Sequence, residues 1–122
     1  MKILLVKLGA LGDVLRTTPL LTALKKKFPD CHVTWVVDSA HEDILSDNPK
    51  IGRLLSYSKE TLLNLKKENF DWAVNLDKEE EALDCMAAAK AKKKSGFVRA
   101  KDGSLQAADP LSDYALRLGI DD

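Results

Sequence analysis

Short apolar runs alternate along the chain with longer stretches in which apolar residues recur at helical spacing. The run Ile3-Leu4-Leu5-Val6, bounded by Lys2 and Lys7, is unbroken, as expected of a parallel strand covered on both faces. Val14, Leu21, Leu24 and Phe28 predict a helix over Val14–Phe28 that stops at Pro29-Asp30. Val33–Val37, rich in β-branched residues, reads as a second buried strand. A short helix over Ala40–Ser46 is halted by Asp47-Asn48-Pro49, and Arg53–Tyr57 reads as a third strand. Leu62, Leu63 and Leu65, with Lys66 and Lys67 outward, predict a helix over Lys59–Asn69. Trp72–Leu76 follows as a strand, and Ala82, Leu83, Met86 and Ala89 predict an Ala-rich helix over Glu79–Lys93. Gly96–Val98 reads as a fifth strand, Asp102-Gly103 as a turn, and Ser112–Leu118 as a last helix capped by Gly119.

This alternation implies right-handed βαβ crossovers and an open parallel sheet with helices on both faces, a Rossmann-like α/β domain. The chain has 122 residues, room for one domain with a real core, so residues 1–122 are expected to form a single unit. In such sheets ligands sit beyond the carboxyl ends of the strands, near the switch point in strand order. The loops after Lys7, Val37, Tyr57, Leu76 and Val98 are therefore where chemistry is to be sought.

Composition narrows the function classes. Nineteen basic residues balance nineteen acidic ones, so no global field draws the chain onto nucleic acid or lipid, and a dedicated nucleic-acid binder is excluded. Cys31 and Cys85 form neither a disulfide framework nor a zinc motif and read as buried thiols of a reducing compartment. The apolar run at the start is too short for a signal-peptide core or a membrane span, which predicts a cytoplasmic protein.

The segment Leu8-Gly9-Ala10-Leu11-Gly12-Asp13 carries the most information. Two glycines three apart allow a sharp turn and a ligand approach with no Cβ in the way. The helix that follows favours anionic or polyhydroxylated ligands, although the segment is neither a GxGxxG fingerprint nor a Walker loop. Asp13 has two readings: an acid placed at a helix N-terminus by the dipole, or a general base for a hydroxyl nucleophile. Thr17-Thr18-Pro19 likewise reads as helix geometry, with a kink or restart at Thr18-Pro19, or as hydroxyls facing the glycine loop to bind a sugar or phosphate oxygen. His41, after the second strand, is either an exposed helix residue or a group that reaches the cleft. His32 lies at the far end of that strand. The runs Lys25-Lys26-Lys27 and Lys90-Ala91-Lys92-Lys93-Lys94 read as solvated helix ends, or as a basic face for anionic lipid or core sugar phosphates. Glu79-Glu80-Glu81 suits a helix start. Asp77 ends a strand as a receiver-domain phosphoacceptor would, but Lys7-Leu8-Gly9 supplies none of the acids such a site needs.

Taken together, KILLVKLGALGDVLRTTPLLTALKKKFPDCHVTWVV at residues 2–37 resembles the opening of glycosyltransferase family 9, the lipopolysaccharide heptosyltransferases. Asp71-Trp72-Ala73-Val74-Asn75-Leu76 resembles the family's fourth strand, and the similarity fades beyond Gly96-Phe97. The resemblance implies the acceptor-side half of a GT-B enzyme, in which two Rossmann-like domains face each other across a cleft. It implies that Asp13 deprotonates an acceptor hydroxyl for inverting displacement at the anomeric carbon of an ADP-sugar. Gly9, Ala10, Gly12, Thr17, Thr18 and His41 are then the candidate substrate contacts. Neither metal nor cofactor is implied, because helix dipoles and basic side chains take up the charge of the leaving diphosphate. The implied partners are a glycolipid acceptor, a nucleotide-sugar donor and the inner membrane as a peripheral contact. Where many members carry Asp-Leu-Gln-Gly, this chain has Asn75-Leu76-Asp77-Lys78. Nothing here corresponds to the donor-side, C-terminal domain, so little or no transfer is expected of these residues alone. The alternative is a non-catalytic α/β module that holds a sugar or nucleotide beyond the strand ends.

Overall fold

The structure, a computed structural model, describes residues 1–99, 102 and 105–107. Strand β1 (Lys2–Val6) is followed by helix α1 (Leu11–Lys27) and strand β2 (His32–Val37). A single 3-10 turn (Ser39–His41) and helix α2 (Glu42–Leu45) lead to β3 (Arg53–Ser56). Helix α3 (Lys59–Lys66), β4 (Asn69–Asn75), α4 (Glu80–Ala88), β5 (Lys90–Arg99) and β6 (Leu105–Ala107) complete the described chain. The sheet runs β3-β2-β1-β4-β5-β6. Its first five strands are parallel, and only β6 pairs antiparallel, on the outer side of β5. The expected Rossmann-like sheet is present, with that antiparallel strand added at its edge.

Side-chain alternation along the strands builds two cores. Ile3 and Leu5 of β1, Val33, Trp35 and Val37 of β2, and Trp72 and Val74 of β4 pack under α1 through Val14, Leu20, Leu21 and Leu24. On the opposite face Leu4, Val6, Val36 and Ala73 meet Leu65 of α3 and Ala82, Cys85 and Met86 of α4. Helices thus cover both faces. Burial, with the charge of Asp84 adding to it, pushes the Cys85 thiol up to about 12, so it stays protonated as a core residue.

Three sequence expectations are corrected by the structure, two of them by non-local packing. The helix expected over Glu79–Lys93 stops at Ala88, and Lys90–Lys94 belong to β5, paired with β4 from Asn69↔Lys90 to Ala73↔Lys94. Ala and Lys favour helices locally, but the unpaired edge of β4 offers this segment a ladder. The lysines reconcile the two by laying their stems on the sheet: Lys93 Nζ sits 5.4 Å from the Trp72 ring and Lys94 Nζ donates to Met86 O (2.7 Å). Burial holds the Lys94 ammonium below the ordinary lysine range. The helix expected to reach Asn69 ends at Lys66, because Asn69 already pairs in β4.

The third correction lies in α1, which is continuous through Pro19 with no restart. Proline removes the N–H that would bond Leu15 O, and the hydroxyl of the preceding Thr18 donates to that carbonyl instead (2.7 Å). The helix also begins at Leu11, three residues before the apolar periodicity becomes visible. Gly96 requires its glycine: φ is +85°, and a Cβ there would lie 1.9 Å from Asn75 O, where β5 closes against β4. Asp102 sits in a turn as expected, whereas Gly103, the Ser112–Leu118 helix and its Gly119 cap lie outside the described residues.

Candidate functional site

The strand order reverses at β1. The chain leaves β1 through α1 towards β2 on one side and returns from β3 through α3 to β4 on the other. The loops after β1 and β4 therefore part at the carboxyl edge and open the crevice in which such sheets bind ligands.

The backbone that enters this crevice is held from both sides. Lys7 N donates to Val36 O (3.2 Å), and the buried Trp35 indole donates to Lys7 O (3.0 Å). Asp38 N donates to Leu8 O (3.0 Å), and Leu8 N donates to Asp77 Oδ2 (3.1 Å). Only then does the chain turn through Gly9. A Cβ at Gly9 would lie 3.2 Å from His41 Nε2, so the imidazole at the end of the 3-10 turn packs directly on this backbone. Asp38 fixes that turn by accepting from Ala40 N (3.1 Å).

Ala10 is the N-cap of α1 and supplies no side-chain cap. Gly12 and Asp13 consequently lie in the first helical turn rather than in a free loop. A Cβ at Gly12 would meet nothing within 4 Å, so this face of the turn is open. The Asp13 side chain is about half exposed (49%), with Oδ1 3.5 Å from Arg16 Nη1 one turn on. The acid is placed where the dipole favours it and where a ligand in the crevice can reach it.

The remaining candidates divide. Gly9 and His41 touch, and Ala10, Gly12 and Asp13 follow within one turn. Thr17 is fully buried and its hydroxyl donates to Asp13 O (2.8 Å), so it touches the Asp13 backbone from within the helix. Thr18 lines a shallow pocket of about 390 Å³ with Pro19, Thr22, Asn48 and Lys50, on the flank of α1. A second pocket of about 390 Å³ lies between α3 and α4. His32 is exposed at the opposite end of β2, with Gly52 packed on its ring.

Polar residues that periodicity did not single out close the other wall. Lys7 Nζ donates to Leu76 O (3.3 Å) and stands 4.0 Å from Asp77 Oδ2. Asp77 is 5% exposed; Oδ1 accepts from Glu79 N (3.1 Å), and its own N–H donates to Asn75 Oδ1 (2.8 Å). Their signal in the sequence is the polar Asn75 at the end of a buried strand, with Asp77 two residues beyond it. The charge of Asp77, then burial and the charge of Glu81, hold the Glu79 carboxyl above the usual range; Lys7 opposes this and Asp38 adds to it. Among the described residues no group of three or more His, Cys, Asp or Glu is arranged to hold a metal ion. No helix among them is long and apolar enough to cross a membrane.

An open parallel sheet with a glycine turn, a histidine and a half-exposed acid at its switch point defines a Rossmann-like unit. Comparison with known proteins makes that class more particular. The chain is 32% identical over 85 residues to lipopolysaccharide heptosyltransferase 1 of Campylobacter coli, an alignment that takes in 62% of this chain and 25% of that protein. It is 28% identical over a 127-residue alignment to lipopolysaccharide core heptosyltransferase OpsX of Haemophilus influenzae, covering 92% of this chain and 36% of that protein. Among solved structures, a glycosyl transferase family 9 protein of Veillonella parvula superposes on 99% of this chain and 42% of its own, with a TM-score of 0.66 and 25% identity. Escherichia coli heptosyltransferase WaaC with ADP shares the fold over 78% of this chain and 34% of its own, with a TM-score of 0.68 and 24% identity. No protein-family model matches. The resemblance to glycosyltransferase family 9 and the GT-B type of Rossmann-like fold thus hold in sequence and structure. The chain spans about a quarter to a third of the length of these two curated relatives.

Two predictions arise from this geometry. In the folded chain Glu79 binds its proton more tightly than in the unfolded chain, so its ionisation costs stability as pH rises from the ordinary glutamate range through its raised folded value. Glu79→Gln should therefore raise stability at pH 7 by a few tenths of a kcal/mol at most, since the group is largely exposed, and by nothing near pH 3. Urea denaturation at the two pH values checks this. Gly12→Ala should stabilise α1 by roughly 0.5–1 kcal/mol, because the site is open and helical, while weakening any ligand that approaches this turn. Thermal denaturation set beside a binding titration reads both effects.

Proposed function

We propose that this chain is the acceptor-side unit of an inverting glycosyltransferase that moves a sugar from an ADP-sugar onto a lipopolysaccharide-core glycolipid. The observation that carries the reading is Asp13: a half-exposed carboxylate in the first turn of α1, beside a glycine turn, at the switch point of a heptosyltransferase-like sheet. The similarity to lipopolysaccharide heptosyltransferases supports the substrate class, and the ADP held by one structural neighbour supports the donor class.

In this mechanism the acceptor hydroxyl lies against Gly9, Ala10 and Gly12, where the absent or small side chains admit it closely, with His41 at its flank. Asp13 removes the hydroxyl proton as the oxygen attacks the anomeric carbon. The bond from that carbon to the diphosphate breaks, the bonding pair leaves with the nucleotide, and configuration inverts. Thr17 acts through the backbone of Asp13, and Thr18 through the helix that carries it. The displacement is redox-neutral. Donor binding falls to a second Rossmann-like domain, in the same polypeptide or another, and the whole works in the cytoplasm at the inner face of the membrane.

Asp13→Asn in the protein competent for transfer should lower kcat by roughly 10²–10⁴-fold, as loss of a general base does, with folding intact by circular dichroism. Undiminished transfer would leave Asp13 a helix-terminal acid, and an unsubstituted protein that binds the glycolipid yet transfers no sugar would favour the binding module.

A further inference from the structure

The ladder between β1 and β4 stops where the crevice begins, and side chains take over from it. Its last backbone rung is Leu76 N to Val6 O (3.0 Å). In a continuing parallel ladder the next rung would join Leu8 N to Leu76 O. Here the Leu76 carbonyl receives Lys7 Nζ (3.3 Å), and the Leu8 amide is given to Asp77 Oδ2 (3.1 Å). The strands part, yet neither backbone group is orphaned.

Asp77 is suited to this place. Each carboxylate oxygen takes one amide, Leu8 N on Oδ2 and Glu79 N on Oδ1, so one side chain ties the exit of β1 to the start of α4. Its backbone is fixed in turn by Asn75, whose Nδ2 donates to Phe97 O (2.9 Å) in β5. A line of bonds thus runs from β5 across β4 to Leu8, five residues before Asp13. We propose that Asp77 is a positioning residue: its carboxylate sets where the Gly9–Asp13 segment leaves the sheet, and so where the Asp13 carboxylate stands. The inference rests on the reading of Asp13 as the base for its functional meaning and on the Leu8–Asp77–Glu79 bonds for its structural one. It also gives Asn75-Leu76-Asp77 a role that needs no contact with the acceptor, since Asn75 and Asp77 are buried and turned into the sheet.

The test is amide hydrogen exchange of the full 122-residue chain with and without Asp77→Ala, with urea denaturation to correct for any change in global stability. An alanine accepts neither of the two amides. Exchange at Leu8 and Glu79 should accelerate roughly tenfold or more, the scale expected when a buried amide loses its acceptor. Relaxation dispersion should appear at Gly9, Gly12 and Asp13, while Ile3–Val6 and Val33–Val37 keep their corrected rates. An unchanged Leu8, an equal acceleration of every amide, or a faster Leu8 with a still Gly9–Asp13 segment would each overturn the proposal. Should the variant not fold, a scalar coupling across the hydrogen bond from Leu8 N to the Asp77 carboxyl carbon in the unsubstituted chain supports it, and the lack of that coupling removes it. Transfer that survives Asp13→Asn would remove the base and leave the Asp77 anchor standing, so the two failures are distinct.

Discussion

The described fold is arranged around β1, the one described strand whose two neighbours are reached by crossovers in opposite directions. Its central residues Ile3–Val6 are fully buried, paired with β2 on one side and β4 on the other. A strand so placed cannot carry polar side chains in its body, and the unbroken Ile-Leu-Leu-Val run is the consequence. Its carboxyl end is equally constrained. The neighbouring loops leave in different directions, so the backbone beyond Val6 loses its ladder on the β4 side and must find other partners.

The partners it finds define the site. Trp35, Val36 and Asp38 hold Lys7 and Leu8 from the β2 side, and Asp77 holds Leu8 from the β4 side. Because this entry is fixed, the Gly9–Gly12 turn can stay open without becoming loose. His41 rests on Gly9, and Asp13 projects half exposed from the first turn of a helix anchored by four buried apolar side chains. Rigidity comes from the sheet, and reach comes from the turn.

The sequence disclosed the parts of this that are local. The apolar run Ile3–Val6, the β-branched run Val33–Val37, and the glycine turn between the first of them and a helix were enough to locate the crevice. Of the parts it hid, some are local but weakly marked and the others depend on distant partners. Ala10 is a poor capping residue, so nothing marked the helix start at Leu11 rather than Val14. Lys90–Lys94 reads as helix until β4 presents an open edge to it. The break expected at Thr18-Pro19 is annulled by a hydroxyl that replaces the lost amide. Asp77 meets its partner Leu8 from 69 residues away, a pairing that no periodicity can reveal.

The central claim is that the carboxyl edge between β1 and β4 receives the acceptor. Titrating the isotope-labelled chain with a lipopolysaccharide-core glycolipid that lacks heptose, and following the backbone amide shifts, tests it most directly. The account predicts shifts concentrated at Gly9–Asp13, Asp38, His41 and Lys78, and little change at the opposite edge around His32 and Gly52. Shifts confined to that opposite edge, or to the groove between α3 and α4, would contradict it.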